Sequence, residues 1–268
     1  MWYTSFCYFR FPWDHKAVRY LGGQRIEYPL PVTMSEQVSD IFAQDQHHIW
    51  FASWGYQVGN VLSLDDGGTP ADTGDDVWQT FPLATVGEKP VVAVDALGRL
   101  WLGQASGLYR HDGSSWQLIY GERPVCDLAP AADGTLYAQV APTGVTACTG
   151  HSDEVLIVRA DGKIENLAFS KWLIAAEPDM VRTARRRNSL WAIASDGAIW
   201  YISHLDPGQE LQRRSGSGLR TYALPVEPEA VQRLEVDARG HVWLVAGSQL
   251  WRMEGPRPIY QYLPMIRR

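Results

Sequence analysis

The stretch that decides the fold is Val91-Val-Ala-Val-Asp95-Ala-Leu-Gly98-Arg-Leu-Trp101-Leu-Gly103, followed shortly by Gly-Leu-Tyr-Arg-His-Asp-Gly-Ser-Ser-Trp-Gln-Leu-Ile at 107–119. Short apolar segments alternate here with an Asp-x-x-Gly step at Asp95, a glycine at 107 and an Asp-Gly pair at 112–113. Branched and aromatic side chains favour strands, whereas Gly and Asp favour turns. The stretch therefore predicts a run of four short strands joined by tight turns.

The same unit recurs along the chain. Residues 231–262 repeat it closely, with Asp237 and Gly240 placed before Val242-Trp243. Four short antiparallel strands in a unit of about 40–50 residues are typical of a β-propeller blade. The sequence thus predicts an all-β fold, a six-bladed β-propeller of four-stranded antiparallel blades. The aromatic residues assigned to the second strands of the six blades are Trp2, Trp50, Trp101, Tyr137, Trp191 and Trp243.

The two ends of the chain are predicted to share one blade. Six fourth strands are found but only five innermost strands, because the chain begins at Trp2, inside a blade. We expect residues 265–268, which follow the last fourth strand, to supply the missing innermost strand. The N- and C-termini would then close the ring and leave no free sheet edge. Residues 1–268 are accordingly predicted to form a single β-propeller domain.

The composition agrees with a folded chain and argues against several classes of function. Of the 268 residues, 46% are hydrophobic, and the net charge of -6 is modest, so that disorder is excluded. The acidic balance, 24 Lys and Arg against 30 Asp and Glu, gives no reason to expect nucleic acid as a partner. No apolar run reaches the roughly 18 residues that span a membrane.

The cysteines and the N-terminus bear on the cellular compartment. Cys7, Cys126 and Cys148 are odd in number and lack the spacing of a disulfide framework, which favours reduced thiols in a cytosolic setting. The first seven residues lack the features of a signal peptide. We therefore expect a cytoplasmic protein, although a mature domain cut from a longer secreted precursor would show the same pattern.

The repeat resembles the two-component-regulator propeller repeat, through Val92-Ala-Val-Asp95, Gly98-Arg-Leu-Trp101-Leu-Gly103 and Gly107-Leu-Tyr-Arg. Strand endings such as Ile26–Pro31 and Tyr222–Pro225 are also similar to those of the streptogramin B lyase propeller, and residues 116–121 resemble tectonin-type lectin repeats. These motifs describe blade geometry. The lyase resemblance implies a His general base with acidic and His partners around a magnesium ion.

Ligands of propellers generally bind on the axial face, which is formed by the loops between strands two and three and between successive blades. Trp54 and Trp172 have no core position in the repeat, and aromatic side chains on loops are common recognition anchors. The alternative is that they cap the ends of blade interfaces. His151, with two carboxylates nearby, fits a proton-transfer or metal site, but no second His lies in a matching loop. The candidate residues of this face are Trp54, Tyr56, His151, Asp153, Glu154 and Trp172, with Glu88 and Lys89 on the same side.

The opposite face is predicted to carry an arginine cluster. Arg185, Arg186 and Arg187 occupy a turn between first and second strands, and Arg213 and Arg214 are assigned to a long loop reaching the same face. Guanidinium groups bind carboxylates in a bidentate manner and are favoured at protein interfaces. We interpret the Asp-rich stretch 65–76 as a solvated, mobile hairpin loop, since it lacks the ligand spacing of a calcium loop. An Arg cluster and an Asp-rich loop on one face suit docking to a partner of mixed charge. The alternative is that the two charged loops only balance each other.

Taken together, these features favour a non-catalytic interaction module that docks onto a protein partner as a subunit or accessory component of a larger assembly. One alternative is a propeller that binds carbohydrate or another small ligand around Trp54, Tyr56 and Trp172. The other is a metal-dependent lyase like the streptogramin lyases, centred on His151. The leading interpretation implies no cofactor, no metal and no membrane contact.

Overall fold

The structure is a computed structural model of the chain. It describes residues 2–5, 16–21, 24–31, 37–55, 57–70, 72–141, 143–146, 148, 154–168, 191–194, 198–203, 210–215, 218–224, 226–227, 230–236, 240–246, 249–254 and 257–264.

Strands dominate the described residues. They are β1 (Trp2–Ser5), β2 (Lys16–Leu21), β3 (Gln24–Pro29), β4 (Gln37–Ala43), β5 (His48–Trp54), β6 (Asn60–Asp65), β7 (Val77–Pro82), β8 (Val91–Val94), β9 (Leu100–Gln104), β10 (Gly107–His111), β11 (Trp116–Tyr120), β12 (Val125–Pro130), β13 (Leu136–Val140), β14 (Glu154–Val158), β15 (Ile164–Ala168), β16 (Trp191–Ile193), β17 (Ile199–Ser203), β18 (Glu210–Ser215), β19 (Gly218–Ala223), β20 (Val231–Val236), β21 (Val242–Ala246), β22 (Gln249–Glu254) and β23 (Arg257–Pro264).

Within these ranges the strands form six sheets, and each sheet follows the order of the chain. Five sheets have four strands, namely β4–β7, β8–β11, β12–β15, β16–β19 and β20–β23, and β1–β3 form a sheet of three. This architecture confirms the predicted all-β propeller of four-stranded antiparallel blades. Residues 265–268, predicted to complete the three-stranded sheet, lie outside the described residues, and the ring closure stays a prediction.

The turn at Asp95 shows why the repeat folds as it does. Asp95 Oδ1 accepts the backbone N–H groups of Leu97 and Arg99 at 2.9 and 3.0 Å, and Gly98 supplies the positive φ of 75° that the turn needs. Asp95 Oδ2 accepts the indole N–H of Trp101 at 2.8 Å. The carboxylate is fully buried and also paired with Arg99. One aspartate therefore closes the turn and fixes the large side chain of the next strand.

One blade is assigned differently from the prediction. Trp191 begins β16, the first strand of its sheet, and Trp200 lies on β17, the second strand. The assignment of Trp191 to a second strand is thus wrong. A tryptophan fits an inner strand as well as the next one, so residue type alone does not fix the position. The turn between the two strands fixes the position. Ala194 N–H donates to Ala198 O at 2.8 Å between β16 and β17, and Ala131 N–H makes the same bond to Thr135 O at 2.8 Å between β12 and β13, before Tyr137.

The long loop proposed for Arg213 and Arg214 is also corrected, because both residues lie on β18. β18 pairs with β19 as far as Ser215 and Gly218, so the two strands form a hairpin. Arg213 lies opposite Trp200 in the register, with its guanidinium 5.7 Å from the indole centroid. Arg252 and Trp243 make the same cross-strand pair at 5.6 Å. Arg213 is thereby engaged in a cation–π contact within its own sheet.

The chain divides into two compact units, Met1–Leu128 with Thr143–Cys148 and Ala129–Pro142 with Thr149–Arg268. In the first unit, alternation along β5 sends Ile49 and Phe51 into a core shared with Tyr28, whereas Ala52 packs into a core with Leu102. The second unit has a core of its own built from side chains of its sheets, among them Trp200, Ile202, Leu211, Leu234 and Leu244. The single-domain assignment stays a prediction.

Among the described residues, none of the elements is a helix that is both long and apolar enough to cross a membrane.

Candidate functional site

Two loops of the first unit meet beside Trp54, the last residue of β5. The β5–β6 loop and the β7–β8 loop are joined by two backbone hydrogen bonds, from Gly87 N–H to Gly55 O and from Leu83 N–H to Gly59 O, both 3.1 Å long. Lys89 Nζ lies 6.0 Å from the centroid of the Trp54 ring. An ammonium group at this distance is attracted by the face of an indole. The structure thus brings together Trp54 and Lys89, which the sequence placed on one face.

The β7–β8 loop is also held from its other side, by the β9–β10 turn. The fully buried side chain of Gln104 accepts the N–H of Thr85 at 3.1 Å and donates to the carbonyl of Thr85 at 2.6 Å. Glu88 Oε2 accepts both the N–H and the hydroxyl of Ser106 at 3.0 Å. Because the loop is bonded on two sides, its exposed side chains are presented on a preorganised backbone.

These loops leave apolar side chains in water. Val58 on the β5–β6 loop is 37% exposed, and Val86 on the β7–β8 loop is 51% exposed. Trp54 is half-buried, and Lys89 and Gln57 are exposed. We call these five residues the Trp54 loop surface. An indole, two aliphatic groups and a cation fit the apolar centre and polar rim of a recognition surface.

The structure does not test the other candidates of the predicted axial face. Tyr56, His151, Asp153 and Trp172 lie outside the described residues. Glu154 begins β14 and pairs with Val140 on one side and Ala168 on the other, but its side chain is not described. Arg185, Arg186 and Arg187 of the opposite face also lie outside the described residues. Their roles stay predictions.

Cys126 and Cys148 form a disulfide, which corrects the expectation of reduced thiols for these two cysteines. Their Cα atoms are 5.3 Å apart, within the range that a disulfide needs. The two residues are 22 positions apart in the chain, and the link joins β12 to the connection after β13. Sequence spacing gave no signal for it, because only the return of this connection to β12 brings the thiols together. Cys7 lies outside the described residues.

The Asp-rich loop between β6 and β7 is only partly the solvated loop that the sequence suggested. Asp66 is fully buried, its Oδ2 bonded to Arg19 Nη1 at 2.6 Å and its Oδ1 to His47 Nδ1 at 2.7 Å. Arg19 belongs to β2 and is itself buried. A charge can be buried when it has such a partner, and the interpretation as a solvated loop is therefore wrong for Asp66.

The carboxyl group of Asp76, in the same loop, has a raised pKa. Burial raises the pKa of Asp76, and the negative charges of Asp66, Asp75 and Asp72 raise it further. Protonation of this carboxyl is therefore easier than that of an ordinary aspartate.

Across the described part of the chain, His, Cys, Asp and Glu side chains form no group of three or more arranged to hold a metal ion.

The described histidines make structural contacts. His48 Nδ1 is 2.7 Å from Asp45 Oδ2, and this hydrogen bond is the main cause that raises the pKa of His48. His111 packs edge-on against Phe81 and Trp116, with ring centroids 5.1 and 5.0 Å apart. These two histidines lie at strand ends joined by turns, as the sequence indicated, and each has its own protein contacts.

Comparison with known proteins supports the fold. No protein-family model matches the sequence, and no curated protein matches it. A structure of streptogramin B lyase has a TM-score of 0.60 at 14% identity, over 95% of this chain and 77% of that chain. TolB from Acinetobacter baumannii gives 0.54 at 12% identity, over 98% of this chain and 68% of its own. A gluconolactonase from Xanthomonas campestris gives 0.51 at 17% identity, over 80% and 72% of the two chains.

These similarities confirm the resemblance to propellers of the streptogramin lyase type. At such identities they concern the fold alone, since one fold hosts many unrelated activities. Function has to be argued from the side chains that this chain itself presents.

Proposed function

We propose that this protein is a non-catalytic β-propeller interaction module and that the Trp54 loop surface docks onto a protein partner. The observation that carries the proposal is the exposure of Val58 and Val86 on loops that are hydrogen-bonded to their neighbours. Fixed loops lose little conformational entropy when they bind. Aliphatic groups that stay in water on such loops gain about 25 cal/mol for every Å² that a partner covers.

The chemistry of the surface favours a protein partner over a sugar or a metal ion. Val58 and Val86 have no group that bonds a hydroxyl, and they need an apolar counterpart. Lys89, placed beside the Trp54 ring, is exposed and suits a carboxylate at the edge of the contact. A partner segment that combines an apolar side chain with an Asp or Glu fits both features.

Replacing Val86 by Asp should abolish partner binding without unfolding the protein. Val86 is half-exposed, so the fold tolerates the change, whereas a carboxylate at an apolar contact is costly to desolvate. We expect at least a tenfold loss of partner recovered with the tagged protein, measured by quantitative mass spectrometry. Trp54→Ala should weaken binding by a factor on the order of 30, as expected for a tryptophan hot spot.

Leu118→Asp is the matched control. Leu118 lies on β11, is 57% exposed, and takes no part in the Trp54 loop surface. Recovery of the partner should match the wild type. Normal recovery with Val86→Asp, or its loss with Leu118→Asp, contradicts the proposal.

The disulfide bears on where this docking occurs. Disulfides persist in oxidising compartments and are rare in the cytosol. The Cys126–Cys148 link therefore supports the alternative of a mature domain of a longer secreted precursor. We propose that the protein acts in an oxidising compartment, and the number of free thiols in protein isolated without reductant tests this.

A further inference from the structure

A recess lies on the β4–β7 sheet, at the end of β5 opposite to Trp54. It has a volume of about 180 Å³ and is lined by His48, Trp50, Ser63, Leu64, Asp65, Val77 and Gln79. We call it the Trp50 pocket. None of these residues belongs to the Trp54 loop surface. Pockets for drug-sized ligands measure about 300–1,000 Å³, so this volume suits a smaller molecule with one ring.

The strand register explains why the lining side chains other than Leu64 share a face. His48 lies opposite Asp65, which lies opposite Val77. The next row is formed by Trp50 opposite Ser63, and Ser63 opposite Gln79. Residues in the same row or two positions apart point to the same side of a sheet. Two rows on three strands thus build the wall of the pocket.

The indole of Trp50 is held in place. Its Nε1–H donates to Gln44 Oε1 at 3.0 Å, and its ring lies 5.7 Å from the ring of Phe81 at an angle of 37°. Trp50 is half-buried, so part of its surface is open to the pocket. A fixed aromatic surface binds the apolar C–H face of a ring ligand with little loss of entropy.

Two neutral polar groups beside this ring are free to bind a ligand. In the part of the chain that the structure describes, neither the hydroxyl of Ser63 nor the amide of Gln79 has a hydrogen-bond partner in the protein. Both groups donate and accept hydrogen bonds. Together with the Trp50 indole they offer the combination that a polyhydroxylated ring requires, which is an apolar floor with hydrogen-bonding groups at its edge.

The charges of the pocket argue against an anionic ligand. His48 Nδ1 is 2.7 Å from Asp45 Oδ2, and its Nε2 is 3.4 Å from Asp65 Oδ2. The hydrogen bond to Asp45 raises the pKa of His48 and favours the imidazolium form. Two carboxylates around one imidazolium leave a net negative charge at this edge of the pocket, which disfavours an anion. Asp65 still accepts hydroxyl hydrogen bonds.

We propose that the Trp50 pocket binds a neutral sugar ring, stacked on Trp50 and hydrogen-bonded by Ser63, Gln79 and Asp65. This site is separate from the Trp54 loop surface and stands independently of protein docking. An anionic sugar, such as a uronic acid, is disfavoured by Asp45 and Asp65.

Saturation-transfer NMR with methyl glycosides tests this proposal. The probes are the methyl glycosides of glucose, galactose, mannose and fucose, with methyl glucuronoside as the anionic counterpart. We expect saturation transfer to at least one neutral glycoside and none to the glucuronoside. Gln79→Ala and Ser63→Ala should each weaken the binding constant about three- to tenfold, the usual range for one hydrogen bond.

Thr80→Ala supplies the matched control for Gln79→Ala. Thr80 follows Gln79 on β7, pairs with Leu62, and therefore points to the opposite side of the sheet. It should bind the glycoside like the wild type. The proposal is wrong if no neutral glycoside receives saturation, if Gln79→Ala and Ser63→Ala both bind like the wild type, or if the glucuronoside binds equally well.

Discussion

Replacing Asp66 by Ala should lower the free energy of unfolding by about 3–5 kcal/mol, because it leaves Arg19 buried without its carboxylate. The side chains of Arg19 and Asp66 are 5% and 0% exposed, and their charged atoms are 2.6 Å apart. His47 also loses its contact with Asp66 Oδ1. Urea unfolding followed by tryptophan fluorescence measures the change.

Asp65→Ala provides the comparison for that experiment. Asp65 precedes Asp66, but it is about half-exposed, and its contact with His48 is 3.4 Å long. A solvent-exposed pair of this kind contributes about 0–1 kcal/mol. The double variant Arg19→Met/Asp66→Leu should regain most of the lost stability, since apolar side chains replace buried ion pairs well. Equal stability of Asp66→Ala and Asp65→Ala would show that the buried pair is not formed.

Removing the disulfide by Cys126→Ser/Cys148→Ser should lower the free energy of unfolding by about 3 kcal/mol. A sequence separation of 22 residues defines the loop that the bond closes in the unfolded chain, and loops of this size contribute about 3 kcal/mol. Reducing agent should lower the urea midpoint of the wild type to that of the double variant. It should leave the double variant unchanged.

Cys7→Ser is the control, since it changes a cysteine outside this bond. Thiol titration of protein isolated without reductant should find one free thiol in the wild type. Three free thiols, with a midpoint that does not respond to reductant, would restore the expectation of reduced cysteines and a cytoplasmic protein.

Much of the fold could be predicted from the sequence, because the repeat carries its own turn chemistry. Asp95 and Gly98 predicted the turn, and the structure shows this carboxylate bonded to Trp101. The four short strands predicted from the stretch that begins at Val91 correspond to β8, β9, β10 and β11 in the structure. A short apolar run between two turns has few alternatives to a strand when the unit recurs.

Two assignments from the sequence differ from the structure, and in both of them the local turn residues carry the decisive information. Trp191 and Trp200 both follow an apolar residue, and only the Asp196-Gly197 step before Trp200 distinguishes the second strand. Gly216-Ser217-Gly218 is a hairpin signal, and it argues for a tight turn after Arg213 and Arg214 in place of the long loop that was predicted. Local turn residues were better guides than aromatic spacing.

The candidate sites were less predictable, since they depend on partial burial. Trp54 was singled out because the repeat does not need it, and Lys89 lies beside it in space. The repeat predicts only that Trp50 lies on a second strand, and it does not indicate that one side of the ring is open to a pocket. The pairing of Asp66 with Arg19, 47 residues away, depends on packing between two sheets, and no local pattern records it.

The central claim, that the Trp54 loop surface contacts the partner, is tested most directly by photo-crosslinking. A benzophenone amino acid placed at Val86 reports contacts of the β7–β8 loop, and the same residue at Leu118 reports contacts of β11. Both positions are about equally exposed. The proposed docking mode predicts a covalent adduct with the partner from position 86 and none from position 118. An adduct from position 118 alone would contradict it.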